Sequence, residues 1–178
     1  MKSFHLEGGI PLRGQVRISG SKNTTLPMIA ASLLTDEPVI LKNVPNLEDV
    51  RTMVDILKHL GVSVSFRDGM MAISPKNGLG NHLPYESVRK MRASFNVLGP
   101  LVMRHGKAHV PLPGGCAIGP RPVDMHLEGM RALGIETTID YGVVCAERVS
   151  KPDSMTFHLR IPSVGTTEQL LSIAVLME

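Results

Sequence analysis

A single thiol, Cys116, stands in the stretch PGGCAIGPRP, among three glycines and three prolines and just ahead of Arg121. That composition favours an exposed, adaptable loop over a buried strand, so the cysteine meets solvent or a ligand. A nearby guanidinium favours the thiolate, which serves as a nucleophile or exchanges a proton. The loop itself leaves two readings open, a catalytic thiol or an inert one. No second cysteine lies at metal-ligand spacing, and no recognisable cysteine-hydrolase pattern surrounds it, which argues against zinc and disulfide exchange.

Three polar turns are the other candidates for chemistry. They are Ser19-Gly20-Ser21-Lys22-Asn23, then Arg92-Ala93-Ser94, then Ser163-Val164-Gly165-Thr166-Thr167. Each precedes an apolar helical stretch, where free backbone N–H groups and the helix dipole favour an anion. Singly, each is an ordinary capped turn or a solvated charge. If the segments behind them are related by rotation, the turns converge and form a pocket for phosphate or carboxylate. The helix after Arg121 has its own signals, with Pro122 at its start and Asp124 in its first turn. None of the seven histidines, His126 included, has a partner visible in the sequence, and all read as structural.

The elements that must position these groups recur. In the first unit, SGSKNTTLPMIAASLLT predicts a helix with Leu26, Ile29, Ala30, Leu33 and Leu34 on one face and Pro27 near its start. A short strand (PVILKN) follows. Next comes an amphipathic helix capped by Asn46 and stopped by Gly61, with Val50, Met53, Val54, Leu57 and Leu60 as its buried stripe. VSVSF and MMAIS then alternate around Arg67-Asp68-Gly69, a hairpin signature. The order returns with the helix RASFNVLGPLVMRHG, the strand KAHVPL, the cysteine loop, the helix RPVDMHLEGMRALG and two strands around Asp140-Tyr141-Gly142. A third start is FHLRIPSVGTTEQLLSIAVLME, with Thr166 and Gln169 as a capping box. Lys22, Arg92 and Ser163 are spaced 70 and 71 residues apart. The pattern predicts an α/β (α+β) protein of duplicated strand-helix-strand-helix-strand-strand units. The third unit breaks off inside its helix, so apolar surface there is expected to be exposed, swapped between copies or covered by a partner.

The 178 residues are 43% hydrophobic and 20% charged, with aromatics at only 3% and no Trp, so Leu, Ile, Val and the 11 Met fill the core. A net charge of +3 with no Lys/Arg run and little to stack on bases argues against nucleic acid and fits small anionic substrates. Lys2, His5 and Glu7 interrupt the opening segment, and no apolar run nears the ~20 residues of a membrane span, so a cytoplasmic protein without membrane contact is expected. Cys116 and Cys145 are expected to be free thiols, Cys145 as a core strand residue.

GSKN, MRAS, PGGCAIGPRPVDMH and PSVGTTE, in that order, resemble the UDP-N-acetylglucosamine enolpyruvyl transferases (1-carboxyvinyltransferases), from about His5 onward. The long Cys-to-Asp motif is the specific one. The resemblance implies an alpha-beta prism fold of βαβαββ units, of which this chain is the N-terminal portion. Residues 1–21 then belong to the other domain and 22–178 form a partial domain with units at about 22–90, 91–160 and an incomplete 161–178. It implies transfer of the enolpyruvyl group of phosphoenolpyruvate to the 3-hydroxyl of UDP-N-acetylglucosamine with release of phosphate, in peptidoglycan synthesis, with no metal or organic cofactor.

By matching position, Lys22, Arg92 and Arg121 would hold phosphoenolpyruvate. Cys116 would protonate its methylene carbon and be the residue fosfomycin alkylates. Asn23 would contact the sugar. Arg121, Pro122, Val123 and Asp124 would line the uridine site, and Ser163, Val164 and Gly165 would meet the diphosphate. The sequence departs from the family pattern at Ile161, where some members have lysine, and in SVGTTEQ for the commoner Ser-Val-Gly-Ala-Thr-Glu-Asn. Other residues the reaction needs fall outside this chain, so it is expected not to turn over alone. The rival readings are the sister enzyme acting on 3-phosphoshikimate, against which the cysteine loop speaks, and a non-catalytic fragment that binds UDP-sugar or serves structure.

Overall fold

The computed structural model describes residues 3–75, 79–89, 91–114, 122–152 and 156–177. The first unit runs α1 (Lys22–Ala31), a 3-10 turn (Ser32–Leu34), β1 (Val39–Lys42), α2 (Glu48–His59), β2 (Ser63–Arg67) and β3 (Met70–Ser74). The short α3 (Tyr85–Val88) closes the first unit, and the second runs a 3-10 segment (Arg92–Val97), α4 (Leu98–His105), β4 (Lys107–Pro111), α5 (Asp124–Ala132), β5 (Ile135–Asp140) and β6 (Val143–Arg148). The third contributes α6 (Val164–Ala174). Among the described residues no helix is long and apolar enough to cross a membrane.

Both sheets are antiparallel and have one plan. In each, the last strand of the unit sits in the middle: β1-β3-β2 and β4-β6-β5. The β2–β3 hairpin pairs Arg67 with Met70 and the β5–β6 hairpin pairs Asp140 with Val143, which leaves two-residue loops. Asp68 and Gly69, like Tyr141 and Gly142, have positive φ, the tight geometry that matches strand twist. Period-2 burial follows: Met71 and Ile73 in β3, and Val144 and Ala146 in β6, are fully buried against the helices. The predicted stripe of α2 is buried throughout.

The expected opening strand of each unit is absent as a strand among the described residues. Residues 3–19 are exposed and without helix or strand, with Phe4, Leu6, Ile10, Leu12, Val16 and Ile18 all facing solvent. For the second unit the counterpart comes from the end of the first and is a single parallel bridge, His82 to His109, flanked by Leu83 N–H to the His109 carbonyl (3.3 Å) and His109 N–H to the Asn81 carbonyl (2.8 Å). A strand becomes one only when a neighbour takes its ladder groups, and here the pairing is local to the edge of β4.

Three further expectations are corrected. Asn46 does not cap α2: its Oδ1 accepts from Arg51 Nε at 2.9 Å, and the helix starts after Leu47. The helix expected over RASFNVLGPLVMRHG is divided, because Ser94 Oγ donates to the Val88 carbonyl at 2.8 Å and to the Met91 carbonyl, and Pro100 has no N–H to join a continuous ladder. Cys145 is not a core residue; it is half-buried on β6, with Sγ 3.2 Å from Nδ1 of its cross-strand partner His109.

The units are tied through their helices. Arg104 of α4 donates to the Leu33 carbonyl at the end of the first helical segment (3.1 Å) and pairs with Asp36, supplying positive charge to a helix C-terminus. The 3-10 segment Arg92–Val97 packs against both α1 and α6, and α6 also packs against α4 and α5.

Candidate functional site

The first polar turn is held by its own hydroxyls. Ser21 caps α1, its Oγ accepting from Thr24 N–H at 3.3 Å, and Thr25 Oγ1 donates to the Ser21 carbonyl at 2.8 Å. Glycine is required at position 20, since a Cβ there would run into the carbonyl of Asn43, itself left-handed at φ 57°. Lys22 and Asn23 are exposed, and Lys22 Nζ lies 2.8 Å from Oδ2 of Asp49 on α2. Pro27 within α1 has no N–H to donate to the Asn23 carbonyl.

Arg92 opens the 3-10 segment and is half-buried. Further along it, Asn96 Nδ2 donates to Glu168 Oε2 of α6 at 3.0 Å. Ser163 caps α6: its Oγ accepts from Thr166 N–H at 3.3 Å, and Thr167 Oγ1 donates to the Ser163 carbonyl at 2.9 Å. The expected Thr166–Gln169 capping box does not form, because the helix begins earlier and Gln169 turns inward to His126. Among the described residues the N–H groups of Val164 and Gly165 have no acceptor. Lys22, Arg92 and Val164 thus open three helical segments that adjoin one another through the middle one.

The helix after the cysteine loop starts at Asp124, with Val123 as its cap position, two residues later than Pro122 suggested. Val123 is buried, whereas Pro122 and Asp124 are exposed. Arg160 pairs with Asp124 and, at 3.2 Å, with Glu128. Its hydrogen bond, followed by the Met125 backbone N–H, holds the Asp124 carboxyl below the usual carboxylate range. A groove of about 420 Å³ runs beside this start, lined by Pro113, Pro122, Val123, Asp124, Leu127 and Arg131 among others. Cys116 and Arg121 lie outside the described residues; Pro113 and Pro122, on either side of them in the sequence, line the groove. Another recess, about 380 Å³, lies between α6 and residues such as Phe157 and Leu159; its almost wholly apolar lining offers nothing to hold a charged substrate.

Sequence reasoning missed the pairings of Lys22 with Asp49, Asp124 with Arg160 and His126 with Gln169. Asp49 and Arg160 are ordinary surface charges until the fold pairs them. His126 is 2% exposed, its Nδ1 bonded to Gln169 Oε1 and its ring edge-on to Phe95 at 5.5 Å between centroids. Burial, outweighing the Gln169 bond and reinforced by the charge of Arg92, lowers its pKa. No local pattern marks a pair 43 residues apart.

The fold matches the crystal structure of the enolpyruvyl transferase NikO from Streptomyces tendae with a TM-score of 0.76 at 22% identity, over 96% of this chain and 39% of that one. A sequence model of the EPSP synthase (3-phosphoshikimate 1-carboxyvinyltransferase) family matches residues 6–178, and the chain belongs to that family. Within it, the chain is 50% identical over 178 residues to a UDP-N-acetylglucosamine 1-carboxyvinyltransferase of Pseudothermotoga lettingae, covering 100% of this chain. It is 52% identical to the protein of that name from Kosmotoga olearia over 99% of its length. The chain spans 42% of the length of each of these relatives.

Proposed function

We propose that the chain is the N-terminal portion of a UDP-N-acetylglucosamine 1-carboxyvinyltransferase. The observation that carries this is half-identity along the whole chain to relatives of that name. The groove beside Pro122, Val123 and Asp124 supports a uridine site, and the free N–H groups after Ser163 support a diphosphate site at Val164 and Gly165. Asn23 meets the sugar. Lys22, Arg92 and Arg121 bind the phosphate and carboxylate of phosphoenolpyruvate. In the reaction, the sugar 3-hydroxyl oxygen adds to C2 of phosphoenolpyruvate, losing its proton, while Cys116 gives a proton to the methylene carbon. Loss of a proton from the resulting methyl group then expels phosphate and restores the double bond. An epoxide such as fosfomycin would alkylate the same thiol, and the product would feed peptidoglycan synthesis in the cytoplasm. The exposed alternation of Phe4, Leu6, Ile10, Leu12, Val16 and Ile18 supports residues 1–21 packing on a further domain.

The test is calorimetric titration of the 178-residue chain with UDP-N-acetylglucosamine, followed by phosphate release with phosphoenolpyruvate. Binding without turnover is expected. Absence of binding would refute the reading and leave a structural fragment; turnover would refute the expectation that the chain is inactive alone. The family's name favours 3-phosphoshikimate as the alternative acceptor, and titration with it decides between the two.

A further inference from the structure

The imidazole of His126 is turned toward the first turn of α6. A Cβ built on Gly165, the second residue of that helix, would stand 3.7 Å from its Cε1 and 3.8 Å from its Nε2. Nε2 is buried and, among the described residues, has no hydrogen-bond partner. A buried polar atom of this kind normally finds one, so its exception asks for a role. Gln169 fixes the rest of the ring. Its amide nitrogen faces Met130 Sδ at 3.7 Å and its oxygen accepts from Nδ1, which puts the proton on Nδ1 and leaves Nε2 bare.

We propose that His126 is a positioning residue that takes up a proton when an anion, the diphosphate of a nucleotide sugar, occupies the start of α6. This rests on the diphosphate site proposed above. The electrostatics run in one direction. From the 3-10 segment Arg92 opposes a charge on His126, and the positive end of α6 opposes it too. From α6, Gln169 is neutral and Glu168 is turned to Asn96. From its own helix Asp124 favours the charge but is engaged with Arg160, as is Glu128. In the empty site the ring is therefore neutral. An anion on the Val164 and Gly165 N–H groups cancels the repulsion from both Arg92 and the helix end, the pKa of His126 rises, and imidazolium becomes the stable form. By linkage, affinity for the anion increases as pH falls through the pKa of the occupied site.

UDP-N-acetylglucosamine is the suitable probe, because its diphosphate is doubly esterified and does not itself titrate near neutrality. Titration of the 178-residue chain in buffers of different ionisation enthalpy is expected to show uptake of a fraction of a proton, with affinity falling roughly 3- to 10-fold from pH 6 to pH 8. In His126→Gln the uptake disappears and the affinity changes less than about 2-fold over that range. Gln169→Glu supplies a carboxylate to Nδ1–H, so the ring is charged before ligand arrives and uptake shrinks even if the first variant does not fold. Nitrogen NMR of the free protein should show the Nδ1–H tautomer. Binding with no proton exchange and a flat pH profile overturns the inference while the diphosphate site stands; no binding at any pH overturns both. Uptake unchanged in His126→Gln, or an Nε2–H tautomer, also overturns it.

Discussion

Gly20→Ala tests how the first polar turn is built. The new methyl group would fall on the carbonyl of Asn43, with Pro45 Cδ another 3.1 Å away. These are backbone and ring atoms, and the next residue, Val44, donates its N–H to the Gly69 carbonyl at 2.8 Å, so Asn43 is anchored to the β2–β3 hairpin and cannot swing aside cheaply. Overpacking against a fixed wall costs about 1–3 kcal/mol, while the stiffer unfolded chain returns about 0.4–1 kcal/mol. Relaxation through Ser21 loosens the α1 cap, worth ~1 kcal/mol. The net expectation is a loss of roughly 1–3 kcal/mol, read as a lower urea midpoint at unchanged slope. On the role proposed for Lys22, which is displaced with the turn, affinity for phosphoenolpyruvate should fall as well. A midpoint equal to that of the unaltered chain would refute the reasoning, since it would mean the turn and Asn43 do not meet.

Asp49→Asn removes the carboxylate that competes for Lys22; with both side chains partly exposed, stability should change by under ~1 kcal/mol, while calorimetry shows phosphoenolpyruvate affinity up a few-fold, and an unchanged or weaker affinity counts against a role for Lys22. Since the folded-state pKa of His126 lies below its ordinary 6.5, the unfolded chain binds more protons there, and stability should drop as pH falls from about 6.5 through the folded value; urea midpoints of the unaltered chain and His126→Gln should converge on acidification, and parallel curves would contradict this. Leu171 and Val175 of α6 are 61% and 63% exposed, beside a recess shared with α1. Leu171→Glu should abolish concentration-dependent association in sedimentation with stability within about 0.5 kcal/mol; a chain monomeric at all concentrations before substitution would show that this face has no copy of itself as partner.

What the sequence carried and what it withheld separate along physical lines. The hairpins at Asp68-Gly69 and Tyr141-Gly142 were legible because turn chemistry and period-2 alternation are local. The stripe of α2 was legible because burial repeats every helical turn. Ser163 was legible as part of a polar turn, yet its capping role was assigned to Thr166, since several hydroxyls in a row offer equivalent caps and only the backbone decides. Asn46 lost its place to Leu47 because Arg51 claimed its side chain. The contacts of Asp124 with Arg160 and of His126 with Gln169 depend on α5 meeting the third unit, a long-range event without local imprint. The three polar turns stood out only because the repeat singled them out, since each alone is an ordinary capped turn.

The bridge between His82 and His109 means that the first unit lends a piece of chain to the edge of the second unit's sheet. Modules counted along the polypeptide are therefore out of step with modules counted in space. Excising one repeat at its apparent seams would strip its neighbour of a border, so a shortened or lengthened version of this architecture must be cut after the lent segment.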